Sequence, residues 1–157
     1  MENSTDGFFG DIVNTLLRLA EEKLNSQFEQ DCLKHYLDNT GTTMELSKDT
    51  FQLIAAETLK LQEAAGGRLA GTTSVNINGK RYYTKCINFY GCRDFDYALG
   101  CSTLYFDEEG TPVGIYDRYD FDAAKHRDTL AEQLTELMSF LASKGIGKAY
   151  DIVYGVK

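Results

Sequence analysis

Tryptophan is absent from this chain, proline occurs once (Pro112) and histidine twice. With a single proline, neither a Pro-rich linker nor a disordered Pro-rich tail is indicated. Basic residues are also in short supply: 16 Lys and Arg stand against 24 Asp and Glu, a net charge of −8. Nucleic-acid binding needs several phosphates neutralised, and no basic stripe supplies that, so nucleic acid is not an expected partner. No apolar run approaches the roughly 18 residues that span a bilayer, so no transmembrane segment is expected. The opening MENSTDGFFGDIVNTLLRLAEE has acids where a signal peptide carries Lys or Arg, and Asp11 and Asn14 interrupt its apolar stretch. The expectation is a protein made in the cytoplasm without a signal peptide. Internal repeats are lacking too. What remains is a globular composition, 43% hydrophobic and 12% aromatic over 157 residues, enough for a single domain (1–157) with one core.

The four cysteines, Cys32, Cys86, Cys92 and Cys101, lack the C-x-x-C spacing of zinc and redox sites. Three of them fall within sixteen residues, which would permit one disulfide in an oxidising compartment. The alternative, favoured here, is that all four are small buried hydrophobes.

The pattern is helical first and β later. Phe9, Ile12, Val13, Leu16, Leu17, Ala20 and Leu24 recur at three- and four-residue steps, one apolar stripe. Ser26 and Glu29 form a capping box that starts a second helix near Gln27, running to about Leu37. A third follows Ser47 and stops at Gly66-Gly67. From Thr73 the period becomes two, and Asn78-Gly79 signals a type I′ hairpin. A second hairpin joins Tyr97–Phe106 to Val113–Tyr119 through Glu108-Glu109-Gly110. A helix capped by Thr129, with Gly145 just past its end, and a strand at Tyr150–Tyr154 complete the chain. The class is α+β, with a helical part over 1–66 and a β-rich part over 67–157.

Chemistry concentrates after the second hairpin. Asp117, Tyr119, Asp120, Asp122, His126 and Arg127 lie within eleven residues. Carboxylates so close repel one another, and a divalent cation relieves that; magnesium takes oxygen ligands and bridges to phosphate. His126 is of a type that titrates near neutral pH. A plainer alternative stays open: a strand end leading into a polar loop gathers Asp as turn former and helix cap. His35, Lys85, Arg93 and Arg118 read as surface or capping residues.

The spacing Asp117-x-Tyr119-Asp120-x5-His126-Arg127 resembles the D-x-Y-D-x5-H-R signature of the colicin M family, bacteriocins that degrade lipid II. At roughly 5% usage per residue type, five fixed positions arise by chance in such a chain about once in tens of thousands. The motif follows β-hairpins in the last third, and the strand Tyr97-Ala-Leu-Gly-Cys-Ser-Thr-Leu-Tyr-Phe before it is similar to such toxin domains. The stretch His35-Tyr-Leu-Asp-Asn-Thr-Gly41 resembles an entry element of these domains.

The resemblance implies a magnesium-dependent enzyme that splits lipid II between undecaprenyl and pyrophosphate, with Asp117, Tyr119, Asp120, His126 and Arg127 functional. It implies an antiparallel, half-open β-barrel with flanking helices, one of them packed after the hairpins. Asp117 and Asp120 would bind magnesium or activate water, and His126 would be general acid or base. Arg127 would hold phosphate oxygens, and Tyr119 would orient the substrate or Asp120. The receptor-binding and translocation regions of the full-length bacteriocins are not in this sequence. The expectation is therefore delivery to the periplasm of a target bacterium, by a dedicated machine such as a contact-dependent or type VI secretion system or as part of a larger polypeptide, with a cognate immunity protein protecting the producer. Two rival readings remain: an acidic α+β adaptor module without catalysis, and a phosphoesterase acting on another pyrophosphate.

Overall fold

The computed structural model describes residues 4–24, 26–92, 94, 95, 98–120 and 132–155. Its elements, in chain order, are helices α1 (Ser4–Lys23) and α2 (Gln27–Leu37), strand β1 (Met44–Glu45), helix α3 (Lys48–Ala65), strands β2 (Thr73–Ile77), β3 (Lys80–Asn88), β4 (Cys101–Phe106) and β5 (Pro112–Tyr119), helix α4 (Glu132–Ser143) and strand β6 (Tyr150–Tyr154). The α+β class holds.

Local chemistry sets the boundaries. The Ser26 hydroxyl accepts the Glu29 amide at 3.2 Å and starts α2; the Ser47 hydroxyl accepts the Thr50 amide at 3.1 Å and starts α3. Gly66, at φ +119°, closes α3 in the left-handed conformation that a side chain would disfavour. Between β2 and β3, Asn78 and Gly79 both have positive φ, 53° and 82°, as a type I′ turn requires. The expected capping residue Thr129 lies outside the described residues, as does Tyr97. The segment before Cys101 is turn rather than strand: the amides of Ala98 and Leu99 both reach the Phe95 carbonyl, at 3.0 and 2.8 Å.

The strands form one sheet in the order β1-β6-β5-β4-β3-β2. All neighbours are antiparallel except β1 and β6, which run parallel through Met44↔Ile152 and Glu45↔Val153. This corrects the antiparallel half-open barrel. Closure would need β2 to pair with β1, and they lie at opposite edges of an open, mixed sheet. Val113 is an extra residue between the pairs Tyr105↔Gly114 and Phe106↔Pro112, a bulge in the second hairpin.

One face of the sheet is buried and the other is not. Ile87, Ser102, Leu104, Phe106, Ile115, Tyr119, Tyr150 and Ile152 fall on one face by register and are all buried. Helices cover that face. Phe51 of α3 stacks on Tyr154 at 4.2 Å, and His35 of α2 meets the Tyr150 ring edge-on at 4.3 Å. Leu16 and Ala20 of α1 and Met138 and Leu141 of α4 complete the core. Cys86, Cys101, Tyr116 and Arg118 alternate onto the opposite face and are exposed.

Candidate functional site

Strand β5 carries the first half of the motif, and its period of two decides where each side chain goes. Asp117 points to the helix-covered face, where it is half-buried opposite Ser102. The fully buried Ser102 hydroxyl donates to Asp117 Oδ2 at 2.9 Å, and the Arg118 amide donates to Oδ1 at 2.8 Å. Both oxygens are therefore held, and the carboxylate has a fixed orientation. Ser102 was not singled out from the sequence. Its alternation on β4 marks it as inward-facing, but only the register shows that it meets an acid.

Tyr119, two residues on, is a core residue. Its ring stacks on Tyr150 at 5.1 Å and tilts against Tyr36 at 5.7 Å. Burial pushes its phenol well above the ordinary value, and the nearby Cys32, Tyr36 and Glu29 add to that. The ring is thus part of the packed core immediately before the strand end. Asp120 follows where the strand stops, and it is exposed. It stands near Tyr36, whose phenol is raised first by burial and next by the Asp120 charge. Tyr36 is held in turn by Gly147: a Cβ there, at φ +105°, would collide with the ring.

Asp122, His126 and Arg127 lie outside the described residues, as does Arg93. Among the described residues no group of three or more His, Cys, Asp or Glu side chains is placed to hold a metal ion, and no helix is long and apolar enough to cross a membrane.

The residues set aside in the sequence have structural employment. Arg118 pairs with Asp151 at 2.9 Å on the open face. Lys85 donates to Gln62 Oε1 at 2.7 Å and to the Ala70 carbonyl at 3.1 Å, tying down the loop after α3. His35 Nε2 lies 2.7 Å from the Thr42 carbonyl. Of the cysteines, Cys32 is buried as expected, and burial raises its thiol far above the ordinary value. Cys86 and Cys101 are exposed free thiols, which corrects the reading of all four as buried hydrophobes.

A cavity of about 480 Å³ opens elsewhere, between α2, α3 and the turn at Asp94-Phe95, with Phe28, Leu53 and Phe95 among its walls. None of Asp117, Tyr119 and Asp120 lines it. Compared with known proteins, the chain matches no family model, no curated protein and no solved structure.

Proposed function

We propose that this chain is the catalytic domain of an antibacterial toxin that hydrolyses lipid II between undecaprenyl and pyrophosphate, blocking peptidoglycan synthesis. The observation that carries the reading is the Asp117-x-Tyr119-Asp120-x5-His126-Arg127 spacing, which resembles the colicin M signature. The placement of its first three members supports it: an oriented carboxylate at Asp117, a buried ring at Tyr119 and an exposed carboxylate at Asp120, at the end of one strand.

Hydrolysis at a pyrophosphate is mainly positioning and charge neutralisation, because the reacting oxygens already carry charge. Asp117 and Asp120 are oxygen donors of the class that magnesium takes, and they would hold Mg2+ together with water and substrate oxygens. Such an ion, when bound, offsets the repulsion between an acidic protein and an anionic substrate. Asp120, open to solvent, is the residue for direct chemistry: it draws a proton from the attacking water. Ser102 keeps Asp117 from rotating away. His126 exchanges a proton with the leaving group, and Arg127 grips phosphate oxygens; these two roles come from the resemblance alone. Delivery to the periplasm and a cognate immunity protein belong to the same proposal.

The test is incubation of the protein with radiolabelled lipid II and magnesium, followed by chromatography. The expected products are undecaprenol and the pyrophosphorylated disaccharide-peptide, absent when EDTA is present. Hydrolysis of soluble pyrophosphates but not of lipid II would move the assignment to another phosphoesterase. No hydrolysis of either, with expression in the periplasm harmless, would leave an acidic binding module.

A further inference from the structure

The open face of the sheet carries two thiols that the proposed function does not use. Cys86 on β3 pairs across with Thr103, and Cys101 on β4 pairs with Asn88. The two cysteines are therefore diagonal neighbours on adjacent antiparallel strands, with side chains on the same face and both exposed. From this placement we infer that Cys86 and Cys101 are a reversible dithiol–disulfide pair, closed by exchange with a small oxidised disulfide such as glutathione disulfide.

The spacing is suited to a bridge that forms and breaks. Diagonal neighbours in a sheet have Cα atoms about 7–8 Å apart, slightly beyond the roughly 4.4–6.8 Å of relaxed disulfides. The two side chains nevertheless project from the same face, with Cys101 two residues along β4 from the Thr103 that pairs with Cys86. Rotation of the side chains and a small approach of the two strands close the remaining gap. A bridge formed under such tension is more easily reduced than a relaxed structural one. Partial burial and the neighbouring thiol push Cys86 up to about 11, which keeps the thiolate scarce and the exchange slow.

The chemistry balances in two exchanges. The thiolate of one cysteine attacks a sulfur of the oxidant, forming a mixed disulfide and expelling one reduced thiol. The second thiolate then attacks the protein sulfur of that mixed disulfide and expels the other. The two protein thiols lose two protons and two electrons, and the oxidant takes up both. The product staples β3 to β4 beside Ser102, the residue that orients Asp117. The inference does not depend on the toxin reading, since the chemistry belongs to the strands alone.

The experiment treats the folded, reduced protein with glutathione disulfide, blocks remaining thiols with N-ethylmaleimide, and maps peptides by mass spectrometry. The expected result is one crosslink joining the Cys86 and Cys101 peptides, lighter by two hydrogens than the dithiol, with Cys32 unreacted. Dithiothreitol should reverse it fully. Cys86→Ser and Cys101→Ser should each lose the crosslink, whereas Cys92→Ser should keep it. Separate glutathione adducts on Cys86 and Cys101 without a crosslink would overturn the inference, and so would a crosslink of either one to Cys92. The wild-type mapping decides the matter even if a variant folds poorly.

Discussion

Alternate residues of β5 meet two different solvents. Ile115, Asp117 and Tyr119 face the helices, where Asp117 is gripped by Ser102 and Tyr119 lies between Tyr36 and Tyr150. Tyr116 and Arg118 face the open side, where both bond to Asp151 Oδ1, at 3.0 and 2.9 Å. The residue types on the two sides are nearly the same, a tyrosine and a charge. On the covered side the surroundings fix a single geometry, because an unmade bond there exposes a buried group to nothing. On the open side water substitutes for any lost partner. The same strand thus has a face able to orient chemistry and a face that merely solvates.

The largest expected effect lies where the strand ends and that contrast stops. Asp120→Ala should abolish lipid II hydrolysis and periplasmic killing with melting unchanged, since Asp120 is exposed and contributes little packing. Asp122→Ala, outside the signature, should keep most activity. A folded Asp120→Ala protein hydrolysing lipid II at the parental rate would sink the family resemblance. Next is Tyr119→Ala, which empties a core position and should cost about 3–5 kcal/mol in denaturant titrations. A loss below 1 kcal/mol would place Tyr119 on a face as permissive as that of Arg118.

Alkaline titration sharpens the contrast further. Burial raises the ionisation of Cys32, Tyr119 and Tyr150 above their ordinary values of 9.0, 10.0 and 10.0. As pH climbs past those values the unfolded chain releases protons that the folded chain retains, so stability present at neutral pH falls. Circular dichroism should show cooperative unfolding setting in above about pH 9–10, moved upward by Tyr119→Phe. Tyr116→Phe, on the open face, should move the transition less, because the Asp151 hydrogen bond raises that phenol too but water reaches it. The smallest effects form a matched pair: Ser102→Ala should cost about 1–3 kcal/mol, and Arg118→Ala under about 1 kcal/mol. Equal costs in thermal melts would erase the distinction between the faces.

Where short-range chemistry decides, the sequence was readable. The starts of α2 and α3 were legible in Ser26 and Ser47, and the first hairpin in Asn78-Gly79. What depends on residues distant in the chain was not. Strand β1 is two residues long, too short to carry a period, and it exists only because β6 offers it an edge. The half-open barrel came from the family resemblance and from two Gly-containing turns between period-2 runs, and nothing in those patterns distinguishes a closed edge from an open one. The acids of the site were visible as residue types. That Asp117 would be oriented by Ser102, and Tyr119 sunk into the core, depended on register. The exposed Cys86 and Cys101 were hidden for the same reason, since a cysteine's average preference is for burial.

The position of β6 in the sheet bears on how the chain reaches this structure. Although it is the last of the strands in sequence, it lies inside the sheet, between β1 and β5. The Tyr150 hydroxyl reaches back to the Cys32 carbonyl at 2.6 Å, a bond spanning 118 residues. A chain emerging from the ribosome can form its helices and its two hairpins as they appear, but the floor beneath Tyr36 and Tyr119 must wait for Tyr150. Loops of that length are costly to close and slow to find. Until then β5 is an unpaired edge, open to other chains. Completion of the sheet and of the core beneath it is thus the late step, and chains truncated before Tyr150 should aggregate.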